Sequence, residues 1–264
     1  MRAAEADIDG IVARLRAAGC VFAEDEAALL VESASSEVEL DALVERRVIG
    51  TPLEQILGWA EFRGIRLVVE PGVFVPRLRT GFLVDLALEA ARPGAVVLDL
   101  CCGIGALAAS IDAEAGVALD VFAADIDSAA VRCARRNVER ADRVFEGDLF
   151  APLPVELRGR IDVIAVNAPY VPTDEIRHMP SEARDFEASI ALDGGEDGLD
   201  MHRRVAQEAA AWLAPGGLLV IETSAEQSER TRALFADAGF DARIETDEDR
   251  DAMAVAATCS VRAR

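Results

Sequence analysis

Four consecutive residues, Asn167-Ala168-Pro169-Tyr170, carry groups suited to one kind of reaction, transfer of a small group to a planar amide-like nitrogen. An amide nitrogen is a poor nucleophile because its lone pair is delocalised into the carbonyl. A site that holds both N–H groups with acceptors can aim that lone pair at an electrophile and gain from the alignment. Asn167 offers a side-chain carbonyl, and Ala168 offers a main-chain one. Tyr170 can lie flat on a planar group. Pro169 stiffens the segment and biases Ala168 toward an extended conformation. No strong general base is required if the proton leaves with or after the transferred group. As a surface turn these four residues would be unremarkable. Their place directly after the apolar run Ile161–Val166, which reads as a core strand, gives them weight.

A second constellation lies upstream. Val96-Val97-Leu98-Asp99-Leu100 reads as a short strand, and Cys101-Cys102-Gly103-Ile104-Gly105 follows it before a helical stretch. Gly103 and Gly105 let the backbone approach a ligand closely. Asp125 ends the next strand, roughly 20 residues on, where a carboxylate commonly accepts from ribose hydroxyls. Strand, turn and helix together with that acid point to an adenosine-containing cofactor. A nicotinamide site normally reads G-x-G-x-x-G/A and aims a helix N-terminus at a pyrophosphate. Here Asp99 precedes the turn, and a carboxylate there suits a cationic amino acid end. That favours S-adenosylmethionine. A redox role for the adjacent Cys101 and Cys102 is the competing reading, with plain small-residue packing ahead of it.

The elements that must position these groups alternate. Strands are expected at Val96–Leu100, Leu119–Ala124, before Gly147, at Ile161–Val166 and at Leu218–Glu222. Helices are expected at Ala106–Ala113, Ser128–Arg140 and Leu199–Leu213, the last stopped by Pro215-Gly216-Gly217. Such alternation predicts an α/β fold with a mostly parallel sheet covered on both faces, and ligands beyond the strand C-termini. The first fifty residues read instead as three helices. Ile8, Ile11, Val12 and Leu15 repeat before Gly19; Glu24 to about Ser33 follows; then Glu37–Val48 carries Val38, Leu40, Leu43 and Val44. Phe62, Ile65, Leu67 and Val69, broken by Gly64 and then Pro71-Gly72, predict a β-hairpin. The division expected is a helical cap over 1–58, a hairpin linker over 59–78 and the main domain over 79–264.

Composition excludes some classes. The chain has 264 residues, 52% of them hydrophobic, so a full core is available. Five cysteines, an odd count without a C-x-x-C pair, are no disulfide framework, and two histidines are too few for a zinc site; no metal is expected. Met1–Ala6 lacks the basic start of a signal peptide and no apolar run would span a bilayer, so a cytoplasmic protein without membrane association is expected. There are 27 basic residues, all arginine, against 48 acidic, a net charge of −21. That excess opposes binding to phosphate backbones and argues against nucleic acid as substrate.

The cofactor tract resembles the D-L-G-C-G-T-G motif of class I S-adenosylmethionine-dependent methyltransferases, with Cys101 in place of its first glycine. Asn167-Ala168-Pro169-Tyr170 resembles the N-P-P-Y motif of amino-methyltransferases, with Ala168 for the first proline. Thr51-Pro52-Leu53-Glu54-Gln55-Ile56-Leu57-Gly58, Glu61-Phe62-Arg63-Gly64 and Pro71–Arg77 resemble the linker of the HemK family of protein-(glutamine-N5) methyltransferases. Phe186-Glu187, Ala191–Gly195, Asp197–Leu199, Leu213–Gly217, Glu222 and Gln227 continue that resemblance. It implies a Rossmann-like fold and S-adenosylmethionine contacts at Asp99, Cys101, Cys102, Gly103, Ile104, Gly105, Asp125, Asp148, Leu149 and Asn167. Gly147-Asp148-Leu149-Phe150 is similar to the segment flanking the adenine, with Leu149 on the ring. Catalysis is implied at Asn167, Pro169 and Tyr170, with Ala168 among the substrate contacts. The implied substrate is a protein glutamine, with the Gly-Gly-Gln loop of a peptide-chain release factor as the family's example.

The departures cluster. The family usually reads I-P-R-P-E-T-E where this chain has Val75-Pro76-Arg77-Leu78-Arg79-Thr80-Gly81, so the acids are lost and Arg79 is new. Ala188, not proline, follows Glu187. These changes predict a divergent paralogue that keeps the catalytic geometry. Two alternatives stand beside a glutamine methyltransferase. One is an adenine N6-methyltransferase, which needs a basic groove near Tyr170. The other is a non-catalytic paralogue that only binds S-adenosylmethionine.

Overall fold

The computed structural model describes residues 7–259; Met1–Ala6, on which the expectation about a signal peptide rests, lie outside them. Three helices open the described chain: α1 (Ile8–Ala17), α2 (Ala23–Ser33) and α3 (Glu37–Val48). Asp7 and Ser36 cap two of them, accepting from the N–H of Gly10 and Glu39 at 3.0 and 3.2 Å, which satisfies donors that a helix start leaves free. Leu15, Leu30, Leu40 and Val44 bury one common face. Val38 does not join it: it is 83% exposed, two positions from Leu40 and so off the buried stripe. A short helix α4 (Leu53–Leu57), absent from the sequence reading, leads into the expected hairpin β1 (Trp59–Phe62) and β2 (Ile65–Val68).

A further helix, α5 (Gly81–Ala90), precedes the alternating region. There follow β3 (Val96–Leu100), α6 (Ala106–Glu114), β4 (Asp120–Asp125), α7 (Ser128–Asn137), β5 (Val144–Glu146) and β6 (Ile161–Val166). The short α8 (Ser181–Phe186) and α9 (Asp200–Glu208) lead to β7 (Leu213–Glu222), then α10 (Ser228–Asp237), β8 (Phe240–Asp247) and β9 (Ala252–Cys259). The seven-stranded sheet runs β5-β4-β3-β6-β7-β9-β8. Its first five strands are parallel, and β8 and β9 add an antiparallel edge. Strand order reverses between β3 and β6, the place where open α/β sheets leave a crevice.

Alternation along the strands splits the core. Leu98, Leu100, Ile164 and Val166 pack with Val205, Trp212 and Phe235 on one face. Val97, Val163, Ala165 and Val220 pack with Leu83, Val84, Leu107 and Ile111 on the other, together with Phe62 and Leu67 of the hairpin. Three expected boundaries change. The helix expected to run from Ser128 to Arg140 ends at Asn137, where Val138 turns extended. The helix expected to reach Leu213 ends at Glu208, and β7 begins at Leu213, so Pro215-Gly216-Gly217 lie inside the strand, where pairing shifts between Ile161 and Val163. A bulge accommodates what a regular ladder would reject. Among the described residues no helix is long and apolar enough to cross a membrane.

A buried arginine and a buried glutamine tie the cap to the rest of the chain. Arg47 of α3 donates from Nε to Glu26 at 2.6 Å and from Nη1 to Glu182 of α8 at 2.6 Å. Nearby, the buried Gln55 donates to the carbonyls of Val73 and Phe186 at 3.0 and 3.1 Å and accepts from Gly72 N–H at 3.0 Å.

Candidate active site

All five parallel strands deliver a residue to one cavity of about 290 Å³ beyond their C-termini: Cys101 after β3, Asp125 at the end of β4, Asp148 after β5, Asn167 after β6 and Glu222 at the end of β7. Gly103, Leu149, Ala168, Pro169 and Tyr170 line it as well. Asp99, Cys102 and Ile104 border a smaller cavity of about 40 Å³, shared with Cys101, Gly103 and Asn167. Gly105 faces elsewhere. A Cβ there would lie 3.2 Å from Ala134 and Val138, so its bareness lets α6 approach α7. Asn137 of α7 fixes the same turn from outside, donating to Ile104 O at 2.9 Å while pairing with both backbone groups of Val68.

In the wall of the smaller cavity, Asp99 is 1% exposed. Its Oδ2 accepts from the Ala108 N–H at the start of α6 at 3.0 Å, and its Oδ1 is buried without a partner among the described residues. Burial pushes this carboxyl up to about 7; the Ala108 hydrogen bond opposes the rise and the charge of Asp125 adds to it. Asp125 accepts from Gly103 N–H and Asp127 N–H, both at 2.8 Å, and burial raises its pKa too. Burial likewise holds Cys101 and Cys102 well above the ordinary thiol range, so both stay protonated and unreactive. Cys101 (φ 59°) and Leu149 (φ 46°) adopt the left-handed conformation, and both line the cavity. Non-glycine residues there carry strain, which gathers at functional sites.

In the larger cavity the tetrapeptide is held from several sides. Asn167 Nδ2 donates to Thr80 Oγ1 at 3.2 Å, which leaves its Oδ1 facing no donor among the described residues. The Ala168 carbonyl has no donor among the described residues either. Gln227 donates to Tyr170 O at 2.9 Å. The loop after the tetrapeptide packs so closely that a Cβ on Gly194 would sit 2.8 Å from Tyr170 Cα. The Tyr170 hydroxyl donates to Glu222 Oε1 at 3.2 Å and accepts from Arg79 Nη2 at 2.7 Å. Burial first, then the charge of Glu222, lifts the phenol to about 12, with Arg79 acting the other way. Arg77 clamps Glu187 at 2.9 and 2.7 Å, and Glu187 also accepts from Val75 N–H at 3.2 Å. Sequence reasoning singled out neither Thr80 as the partner of Asn167 nor Phe74, Ile126, Met201 and Arg204 as lining residues. Only the position of Ile126, directly after the strand-end Asp125, carried a signal.

Similarity to known proteins follows this geometry. The Methyltransferase small domain family matches residues 64–183. A release factor glutamine methyltransferase of Geobacter sulfurreducens is 39% identical over 201 residues, covering 75% of this chain and 69% of that protein. The chain belongs to the release factor glutamine methyltransferase family. A 4-amino-L-phenylalanine/4-methylamino-L-phenylalanine methyltransferase of Streptomyces pristinaespiralis is 38% identical over 200 residues, covering 73% of this chain and 68% of that protein. In fold, a methyltransferase from Pyrococcus furiosus matches with a TM-score of 0.57 at 17% identity, covering 82% of this chain and 98% of its own.

The cofactor of this family is S-adenosylmethionine, and the cavity fits it. The unpartnered, buried Oδ1 of Asp99 is an acceptor for an ammonium, Asp125 is a strand-end carboxylate of the kind that takes ribose, and Leu149 with the half-exposed Ile126 gives apolar surface for a purine. The arginines of the cavity are all paired, Arg77 with Glu187, Arg79 with Glu222 and Arg204 with Asp148. The basic groove that an adenine N6-methyltransferase requires is therefore missing among the described residues.

Proposed function

We propose that this chain transfers a methyl group from S-adenosylmethionine to the side-chain amide nitrogen of a glutamine in a protein, with a Gly-Gly-Gln-bearing release factor as the first substrate to try. The observation that carries this reading is the pair of free acceptors at the tetrapeptide. Thr80 engages the nitrogen of the Asn167 amide, so the carbonyl Oδ1 is turned to the substrate beside the Ala168 carbonyl. Two acceptors hold the two N–H groups of a primary amide and align its lone pair. Tyr170 flanks the amide plane, and Pro169 keeps the Ala168 carbonyl in place. When bound, the cofactor supplies a sulfonium methyl, the electrophile.

Asp99 would receive the ammonium of the donor and Asp125 its ribose, and Cys101 to Ile104 with Asp148 and Leu149 would enclose the rest. Asn167 Oδ1 and the Ala168 carbonyl would hold the two N–H groups of the amide while its nitrogen faces the methyl that the bound cofactor would supply. Glu222 and Tyr170 stay in place throughout. The helices to residue 58, the hairpin over 59–78 and the domain from 79 onward are read as cap, linker and catalytic unit; the separate hydrophobic cluster of the cap supports that division. A release-factor substrate would place the chain in the cytoplasm.

Incubation of the full chain with methyl-labelled donor and a Gly-Gly-Gln-containing release factor tests this. One methyl mass on that glutamine is expected. The aromatic amine named for the Streptomyces pristinaespiralis relative motivates a second arm with 4-amino-L-phenylalanine. Transfer there and to no protein would replace the glutamine reading.

A further inference from the structure

Glu222 ends β7 with its side chain 4% exposed, and its Oε1 accepts from both the Tyr170 hydroxyl and Arg79 Nε, each at 3.2 Å. Its Oε2 is buried and unpartnered among the described residues. A carboxylate taken out of water needs a countercharge close by. Arg77 and Arg204 are committed to Glu187 and Asp148, which leaves Arg79 as the cation beside Glu222. Arg79 stands in the Val75–Gly81 segment where the family usually carries an acid. That exchange changes the local charge by two.

We propose that Arg79 sets the charge of the acceptor end: by neutralising Glu222 next to Tyr170 it admits an uncharged amide and turns away a protonated amine. The inference rests on the reading of this cavity as an amide methylation site. An alkylammonium ion has no free lone pair, so a cation held against a bare Glu222 would occupy the acceptor end without reacting. Arg79 is thus a specificity-determining residue. Its bonds to the Tyr170 hydroxyl and to Glu222 couple that charge balance to the ring that flanks the substrate.

Ligand-observed NMR on the full chain loaded with S-adenosylhomocysteine tests it, with butylammonium and neutral butyramide as probes. Arg79→Gln is expected to bind butylammonium at least tenfold more tightly than wild type, with butyramide binding changed by less than twofold. Arg79→Lys should behave as wild type, and adding Glu222→Gln to Arg79→Gln should abolish the gain. An Arg79→Gln variant that binds butylammonium no better than wild type overturns the proposal, as does an equal gain for both probes. Because no turnover is needed, the expected probe pattern in a chain that fails to methylate glutamine would keep the charge assignment and discard the substrate. Methylation with no effect of Arg79 on the probes would do the reverse.

Discussion

Asp99 makes affinity for the methyl donor depend on pH in a way that can be worked out beforehand. Its carboxyl is lifted to about 7 by burial, roughly 3 units above an unperturbed aspartate, which corresponds to a cost on the order of 4 kcal/mol for holding the charge. In the empty protein the group is about half protonated at neutral pH, and a protonated carboxyl cannot pair with the donor's ammonium. Binding must therefore expel a proton, and Kd scales with the factor by which that proton competes. From pH 7 to pH 5.5 this predicts a rise in Kd of roughly fifteenfold. Calorimetry in two buffers of different ionisation enthalpy measures both the Kd and the proton released. The same shift has a consequence for stability. The folded pKa lies above the unfolded one, so between about pH 4 and 7 the native state holds the extra proton and stability falls as pH rises, levelling off above 7. Asp99→Asn removes this cost, so the variant should unfold at higher temperature than wild type at pH 8 while binding donor at least tenfold more weakly. A wild-type Kd that stays flat from pH 7 to 5.5, or an Asn variant that binds as tightly, would refute the assignment of Asp99 to the ammonium.

Three further outcomes follow from the geometry. Asn167→Ala removes one of the two acceptors and should lower kcat by about a hundredfold or more with donor Kd nearly unchanged; a wild type as inert as this variant, yet binding donor tightly, would identify a binding-only paralogue. Arg47→Ala leaves Glu26 buried without its partner and should cost about 3–5 kcal/mol in urea unfolding. Cys101→Gly relieves the left-handed backbone at φ 59°; after the entropy that glycine adds to the unfolded chain, a net gain of about 0.5–1 kcal/mol is expected, read as a small rise in Tm.

Much of the fold was legible because hydrophobic period and punctuation agreed. The strands ending in Leu100, Asp125 and Val166 and the helix Glu37–Val48 stand within a residue of where the pattern puts them. The misses have physical reasons. α5, Gly81–Ala90, has the sequence G-F-L-V-D-L-A-L-E-A, too apolar to separate a helical from an extended period. β9 is half alanine, a composition that reads as helix, and it is held as a strand by β7 and β8 on either side. Pro215-Gly216-Gly217 reads as a break, whereas a bulge carries it inside β7. At the site, the residues at strand ends were visible because topology sends them to one edge. The bonds that orient them were not. Thr80 lies 87 positions from Asn167 and Arg79 lies 91 from Tyr170, and no local pattern encodes a contact over such a separation.

The small cavity under the cofactor turn has a consequence for how this chain can change. Thr80, Asp99, Cys101 and Asn167 all border the same 40 Å³ space. Residues that share a cavity do not contribute independently, because a side chain lost on one wall alters the room left to the others. Cys101 is therefore coupled to Thr80, Asp99 and Asn167, while the altered Leu78, Arg79 and Gly81 do not border this space. Restoring the common glycine at 101 enlarges the room around Thr80 and Asn167, so its effect on the bearing of Asn167 depends on which residue stands at 80.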